Sequence, residues 1–340
     1  MSEVRWGLRS TASIGAVVAA ATRDSRRTRF VAVASRDGGT ARRFAGEHGL
    51  EHAFGSYDDM LASAEVDAVY VALPVSMHTE WTVAALRAGK HVLCEKPFAV
   101  TAADAARAFD AAADAGRVCV EGLMWRHHPQ TALARRLVDE GAIGALRYVR
   151  AALGVTAPAG DIRRDRALGG GALLDLGCYC VSAVRLFGGE PERVWAEQVP
   201  DAGGVDLRLA ATLRLPGDVL AQFDIGLELP RRDELELVGT AGRIVVRDPW
   251  ICRGTTVELV RDGRAEHLDV DPEGAYALRH DESDVYRIEL DAVSDAIATG
   301  AEPPFGRADA VAQARVLDAV RGSAKRAEPV VLARDVRWDG

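Results

Sequence analysis

The sequence predicts two successive folds: an α/β doubly wound parallel sheet, then an α+β domain built on a large open, mainly antiparallel sheet. Two observations carry this. Short apolar, β-branched runs alternate with helical periods up to about residue 122. Beyond that point strand-like runs follow one another with turns between them. Strands that read as continuous apolar runs are buried on both faces, the pattern of a parallel sheet.

The elements follow in order. The chain enters through Val4-Arg5-Trp6-Gly7-Leu8, and residues 29–35 form the next apolar run. Ala41, Phe44 and Ala45 then fall at helical spacing. Residues 67–73, 91–94 and 118–120 read as strands, with helices through Trp81, Ala84 and Ala85 and over 102–115 between them. Ser56 and Thr101 each stand three residues before an Asp, the spacing of an N-terminal cap. The predicted division is 1–122 for the nucleotide-binding domain and 123–340 for the substrate-binding and oligomerisation domain. In the second, helices are expected over 129–139 and 173–187, the latter opened by Gly169-Gly170-Gly171. Strands are expected over 147–152, 192–198, 207–215, 219–227, 234–238, 243–247 and 256–260, with Asp262-Gly263 as a tight turn. Helices over 281–299 and 308–324 close the chain.

Composition narrows the partners. The 340 residues carry 42 Lys+Arg against 50 Asp+Glu, a net charge of -8. An acidic chain of ordinary globular composition is a poor partner for nucleic acid or an anionic membrane. No run of about 18 uninterrupted apolar residues is evident. Five cysteines, an odd number without a CxxC pair, read as reduced thiols of a cytoplasmic protein. Leu207, Leu213, Phe223 and Ile225 alternate along the second-domain strands and are expected to meet a partner subunit, in a homodimer or a dimer of dimers.

Chemistry is expected at strand ends. The first strand-to-helix turn, residues 6–15, places Ser10 and Ala12 where glycines commonly admit a pyrophosphate, and Ser10 and Thr11 offer hydroxyls to phosphate. The second strand ends in Ser35-Arg36-Asp37. A basic residue there accommodates the 2′-phosphate of NADP, whereas an acid holds the ribose of NAD. Arg36 favours NADP, with NAD as the alternative through Asp37. The fourth strand-to-helix turn, Glu95-Lys96-Pro97, sets a lysine at the sheet's carboxyl edge, where ligands of open α/β sheets bind. His127 and His128 are adjacent and point apart, so no metal site is expected.

Taken together, the Trp-Gly turn with Ser-Thr-Ala, Ser35-Arg36, Glu95-Lys96-Pro97 and the segment from Gly169 to Cys180 resemble the Gfo/Idh/MocA oxidoreductase family. Tyr179 after Gly177-Cys178 resembles the branch holding glucose–fructose oxidoreductase, dimeric dihydrodiol dehydrogenase and NADP-dependent xylose dehydrogenase. The resemblance implies a Rossmann domain and an NADP-dependent dehydrogenase or reductase for a sugar, cyclitol or vicinal diol. It implies Lys96 and Tyr179 as the acid–base pair. It also implies Asp175, Trp125, Arg126 and Arg163 towards substrate, and Gly7, Ser10, Thr11, Ala12, Ile14, Ser35, Arg36, Leu73, Pro74, His78, Glu95 and Lys96 towards cofactor. A free Tyr titrates near ~10, and a nearby lysine ammonium favours its phenolate. Asp175, four residues before Tyr179, is expected on the same helix face. The chain departs from the family pattern at Arg9, Val75 and Ser182. Arg9 is expected either on the pyrophosphate or pointing outward. Two other functions fit the same motifs: a catalytically silent nucleotide-binding regulator, and a redox-assisted glycoside-cleaving enzyme.

Overall fold

The computed structural model describes residues 3–333 and divides into two compact units. The first runs to Met124 and takes in Ser283–Val311; the second comprises Trp125–Glu282 and the chain from Ala312.

In the first unit β1 (Val4–Arg9), β2 (Thr28–Ala34), β3 (His52–Phe54), β4 (Ala68–Val71), β5 (His91–Glu95) and β6 (Cys119–Gly122) form one sheet in the order β3-β2-β1-β4-β5-β6. Every pairing is parallel. Five helices connect the strands: α1 (Ser13–Ala21), α2 (Gly38–His48), α3 (Tyr57–Ala62), α4 (Val75–Arg87) and α5 (Ala102–Ala115). The strand order reverses between β1 and β4, which is where such sheets bind ligands. Trp6, Leu8, Val33, Tyr70, Leu93 and Val120 form the core beneath that edge.

Helix α8 (Ser283–Thr299) joins this core through Leu290 and Val293. The Trp6 indole donates to Ser294 Oγ at 3.0 Å. Ser25 and Thr28 hydroxyls both donate to Asp291. Residues 283–311 therefore pack with the first unit, although they lie within the 123–340 stretch expected for the second domain. The contacts responsible span more than 260 residues and leave no local signal.

The second unit carries a nine-stranded sheet. Its strands are β7 (Leu146–Thr156), β8 (Arg193–Pro200), β9 (Asp206–Arg214), β10 (Leu220–Gly226), β11 (Glu228–Gly239), β12 (Arg243–Arg247), β13 (Thr256–Arg261), β14 (Arg264–Asp269) and β15 (Val330–Val331). Within this sheet, among the described residues, only β7 and β10 pair in parallel. Helices α6 (Pro129–Asp139), α7 (Cys178–Gly188) and the part of α9 (Arg307–Arg326) from Ala312 onward complete the unit.

Two further expectations change here. Leu207, Leu213, Phe223 and Ile225 are buried within this chain, on the sheet face that α7 packs against. The opposite face instead exposes Trp195, Val199 and Leu220. The apolar face of an alternating strand is the one its own helices cover. Also, the stretch Arg166–Gly188 is long and apolar enough to cross a membrane, by length and composition, and most of it is buried in the chain.

Candidate active site

The helix starts of the first unit fall into two kinds. Asp37 caps α2 by accepting the Thr40 N–H, Ser56 caps α3 by accepting that of Asp59, and Thr101 caps α5 by accepting that of Asp104. Helices α1 and α4 begin at Ala12 and Pro74 with no side-chain cap and no acid in the first turn. These two follow β1 and β4, the strands on either side of the switch point. Free first-turn amides and the helix dipole favour an anion there.

The loop into α1 is built on strained backbone. Ser10 has φ of 134°, a conformation that favours glycine. Its hydroxyl donates to Ala72 O at 2.6 Å and accepts the Ala12 N–H at 3.2 Å. The expected phosphate donor is thus committed to tying the β1 loop to the end of β4; its backbone conformation, rather than its hydroxyl, serves the loop. Thr11 makes no side-chain hydrogen bond among the described residues. Ile14 lies in the first turn of α1, packed against the core. At Gly7 a Cβ would meet Met60 Sδ at 2.8 Å and Val66 Cγ1 at 3.1 Å, so its smallness admits core side chains. Arg9 neither points outward nor lies open to an anion. It is buried, stacked on Trp81 at 3.4 Å and over Tyr57 at 4.5 Å, and donates to Trp81 O. Burial lowers its pKa to about 9.

At the end of β2, Asp37 is engaged in capping α2, and its hydrogen bond from Thr40 holds its carboxyl below the usual range. Arg36 beside it is exposed and makes no ion pair among the described residues. Arg42 and Arg43 follow in α2. This set suits a phosphate monoester better than a bare ribose.

The ends of β4 and β5 are joined by His78. This buried ring lies in α4 with Nδ1 2.9 Å from Pro97 O and Nε2 2.7 Å from Leu73 O. Burial pushes its pKa down, and the neutral ring donates to one of these carbonyls at a time. Both nitrogens therefore face backbone carbonyls. Leu73 and Pro74 are half-buried at the same edge. Glu95 accepts the Tyr70 hydroxyl and, at 3.1 Å, the Lys96 N–H. Its carboxylate therefore shapes the turn. The Lys96–Pro97 peptide is cis.

In the second unit the glycine triplet has a steric cause. A Cβ on Gly170 would meet Arg163 O at 2.5 Å; one on Gly171, with φ of 133°, would meet Asp206 Oδ1 at 2.1 Å. That approach lets Asp206 accept the Leu173 N–H at 2.6 Å. Leu173–Gly177 then form a π-helical turn that runs into α7. The predicted single helix thus widens where Asp175 sits; such turns often mark functional sites. Asp175 Oδ2 lies 4.0 Å from Arg163 Nη1, so these two expected substrate residues come together. Arg163 also pairs with Asp161, whose carboxyl it lowers to about 2.

Tyr179 stands in the first turn of α7, its ring 5.7 Å from that of Trp250. Trp250 also meets Trp125 edge-on at 5.5 Å and donates to Ala152 O. In the sequence Trp250 lies in a turn without periodicity. Trp125 is 1% exposed and serves as packing behind Trp250. Arg126 is 7% exposed and donates to Ser182 Oγ at 2.5 Å, which anchors it to α7 one turn beyond Tyr179. Ser182, without an assigned role, gains this one. Cys178 and Cys180 flank Tyr179 and are fully buried. Among the described residues no group of His, Cys, Asp and Glu is arranged to hold a metal ion.

Comparison with known proteins adds to this geometry. Residues 7–123 match the family model described as oxidoreductase family, NAD-binding Rossmann fold, and residues 131–245 match the GFO/IDH/MocA C-terminal domain. The chain is 35% identical to D-xylose 1-dehydrogenase (NADP(+)) 2 of Haloferax volcanii, over 96% of this chain and 99% of that one. It is similar to the solved structure of a 3-ketoreductase from Actinomadura kijaniata in complex with NADP and TDP-benzene (TM-score 0.85, 33% identity, 94% of this chain and 98% of that one). It is also similar to an aldose-aldose oxidoreductase from Caulobacter crescentus complexed with glycerol (TM-score 0.88, 27% identity, 97% and 100%).

Proposed function

Because the chain belongs to the Gfo/Idh/MocA oxidoreductase family, we propose that it transfers a hydride to or from a carbinol or carbonyl carbon of a sugar, cyclitol or vicinal diol. It is an oxidoreductase and its cofactor is NADP. The observation that carries the reading is the pair of uncapped helix starts at α1 and α4, with Arg36 exposed beside a committed Asp37. The cofactor, when bound, supplies the hydride acceptor or donor at nicotinamide C4.

The chain's own residues divide the remaining work. The first-turn amides of α1 receive the diphosphate, and Arg36 receives the 2′-phosphate. In the oxidative direction Tyr179 takes the proton of the substrate hydroxyl while the hydride leaves its carbon; in the reductive direction it returns that proton. Lys96 holds the charge that develops on the same oxygen. Trp250 restrains the Tyr179 ring, and Asp175 with Arg163 receives a second substrate hydroxyl.

Single-turnover hydride transfer with a panel of aldoses and diols tests this. Tyr179→Phe and Lys96→Met are each expected to lower the rate at least ~100-fold, in line with the size of general acid–base effects. Wild-type rates in both folded variants would remove the mechanism. A steady nicotinamide absorbance during turnover would point to redox-assisted cleavage instead, and no reduction with any member of the panel would point to a silent regulator. We further propose a homodimer formed on the exposed sheet face of Trp195, Val199 and Leu220. Trp195→Glu is expected to halve the mass seen by light scattering; a wild-type monomer would end that idea.

A further inference from the structure

The turn that carries Lys96 is held from outside by side chains of three different elements. At its start, Glu95 at the end of β5 accepts the Lys96 N–H at 3.1 Å. At its far side, Glu121 on β6 accepts the Phe98 N–H at 2.9 Å. Between them, His78 on α4 sets Nδ1 2.9 Å from Pro97 O. Phe98 itself is buried, with its ring 4.7 Å from that of Phe109. The backbone polar groups on both sides of the lysine are thus met by side chains.

Two of these supports are costly ones. Glu121 is 4% exposed and His78 is 1% exposed. A buried carboxylate is an expensive way to satisfy one amide, since its desolvation costs far more than that of a neutral acceptor doing the same job. His78 spans from the Lys96 turn to Leu73 O, so it ties the β5 loop to the β4 loop as well. The strands beneath are in tight register: Cys94 pairs with Glu121 and Glu95 with Gly122. A Cβ on Gly122 would meet Cys94 O at 3.2 Å, so β6 presses close against the strand that ends in the lysine. Functional groups need this kind of supporting shell, because small displacements of a reacting group cost rate.

We infer that Glu121 and His78 are positioning residues for Lys96, fixing the direction in which its side chain leaves the sheet edge. The inference rests on the reading of Lys96 given above. Glu121 acts as a hydrogen-bond acceptor for the turn, and His78 as a brace between two loops. Neither touches substrate.

The experiment compares four variants by single-turnover hydride transfer and by NADP binding, the latter followed through tryptophan fluorescence. Lys96→Met sets the scale. Glu121→Leu removes the acceptor and is expected to slow hydride transfer about 10-fold or more, with NADP Kd within about threefold of wild type. Glu121→Gln keeps a carbonyl acceptor and is expected to restore the rate to within about threefold. His78→Leu, which removes both ring nitrogens, is expected to show the same loss of rate at unchanged NADP Kd; it carries the test if Glu121→Leu does not fold. A slow Lys96→Met beside wild-type rates in Glu121→Leu or His78→Leu overturns the inference and leaves the role of Lys96 standing. A Glu121→Gln as slow as Glu121→Leu also overturns it, since the carbonyl acceptor then does not matter. A wild-type rate in Lys96→Met overturns both the inference and the reading beneath it.

Discussion

Helices α2, α3 and α5 begin with a side chain that accepts a first-turn amide, whereas α1 and α4, in the same unit and on the same sheet, begin without one. Helix propensity does not explain the difference, because a cap stabilises any helix by about 1 kcal/mol. Position does. The uncapped helices leave β1 and β4, the central pair where the order of strands reverses. In the proposed reading the cofactor's diphosphate takes the place of a cap at α1. At α2 the two solutions are adjacent: Asp37 closes the helix and Arg36 stays exposed.

That contrast can be broken by mutation, and the largest effect is expected at Arg36. Hydrogen bonds to charged groups contribute about 1.5–3 kcal/mol, so Arg36→Ala should weaken NADP binding by roughly 10- to 100-fold while changing NAD binding little. Isothermal titration with both cofactors checks this; equal losses for the two would show that Arg36 does not read the 2′-phosphate. Next comes a cap placed where none exists. Ala12→Asp should raise the melting temperature of the cofactor-free protein and weaken NADP by about 10-fold, since the new carboxylate takes the amides and repels phosphate. Thr101→Ala, at a capped helix, should do the reverse: lose about 1 kcal/mol of stability in urea and leave NADP Kd unchanged. If both substitutions act alike, the two classes of helix are not functionally distinct.

The smallest effect concerns an acceptor made of imidazole. His91 Nδ1 accepts the Val118 N–H. A proton on that nitrogen removes the acceptor. Burial lowers the pKa of His91 to about 4. Between there and the usual 6.5 the unfolded chain binds more protons than the folded one. Stability is therefore full above 6.5 and falls as the pH drops towards 4. Thermal midpoints that stay level across this window would remove burial of this ring as the cause.

Much of this was legible in the chain because it is written locally. The parallel strands show as apolar runs, since both faces are covered; Ser56 and Thr101 show their caps through a three-residue spacing. Glycines at 169–171 mark a close approach, and the structure supplies the cause in Arg163 O and Asp206. What stayed hidden depends on partners distant in sequence. Ser10 reads as a phosphate donor until Ala72 O is found beside it. Glu121 reads as a domain boundary, and its bond to Phe98 appears only once β5 and β6 are paired. Strand β3 is three half-buried residues, too short for alternation to show. The π-helical turn at Asp175 keeps a helical apolar pattern, so periodicity alone does not separate it from α7.

The return of α8 to the first unit has a consequence for how the protein is made. The indole of Trp6 waits for a partner 288 residues later in the chain. At roughly 5–20 residues per second of synthesis, β1 leaves the ribosome about 15–60 s before Ser294 exists. Through that interval the nucleotide-binding sheet lacks one of its covering helices, and Leu8 and Phe30 lack part of their packing. A fragment ending near residue 122 would be born in the same state and would never leave it.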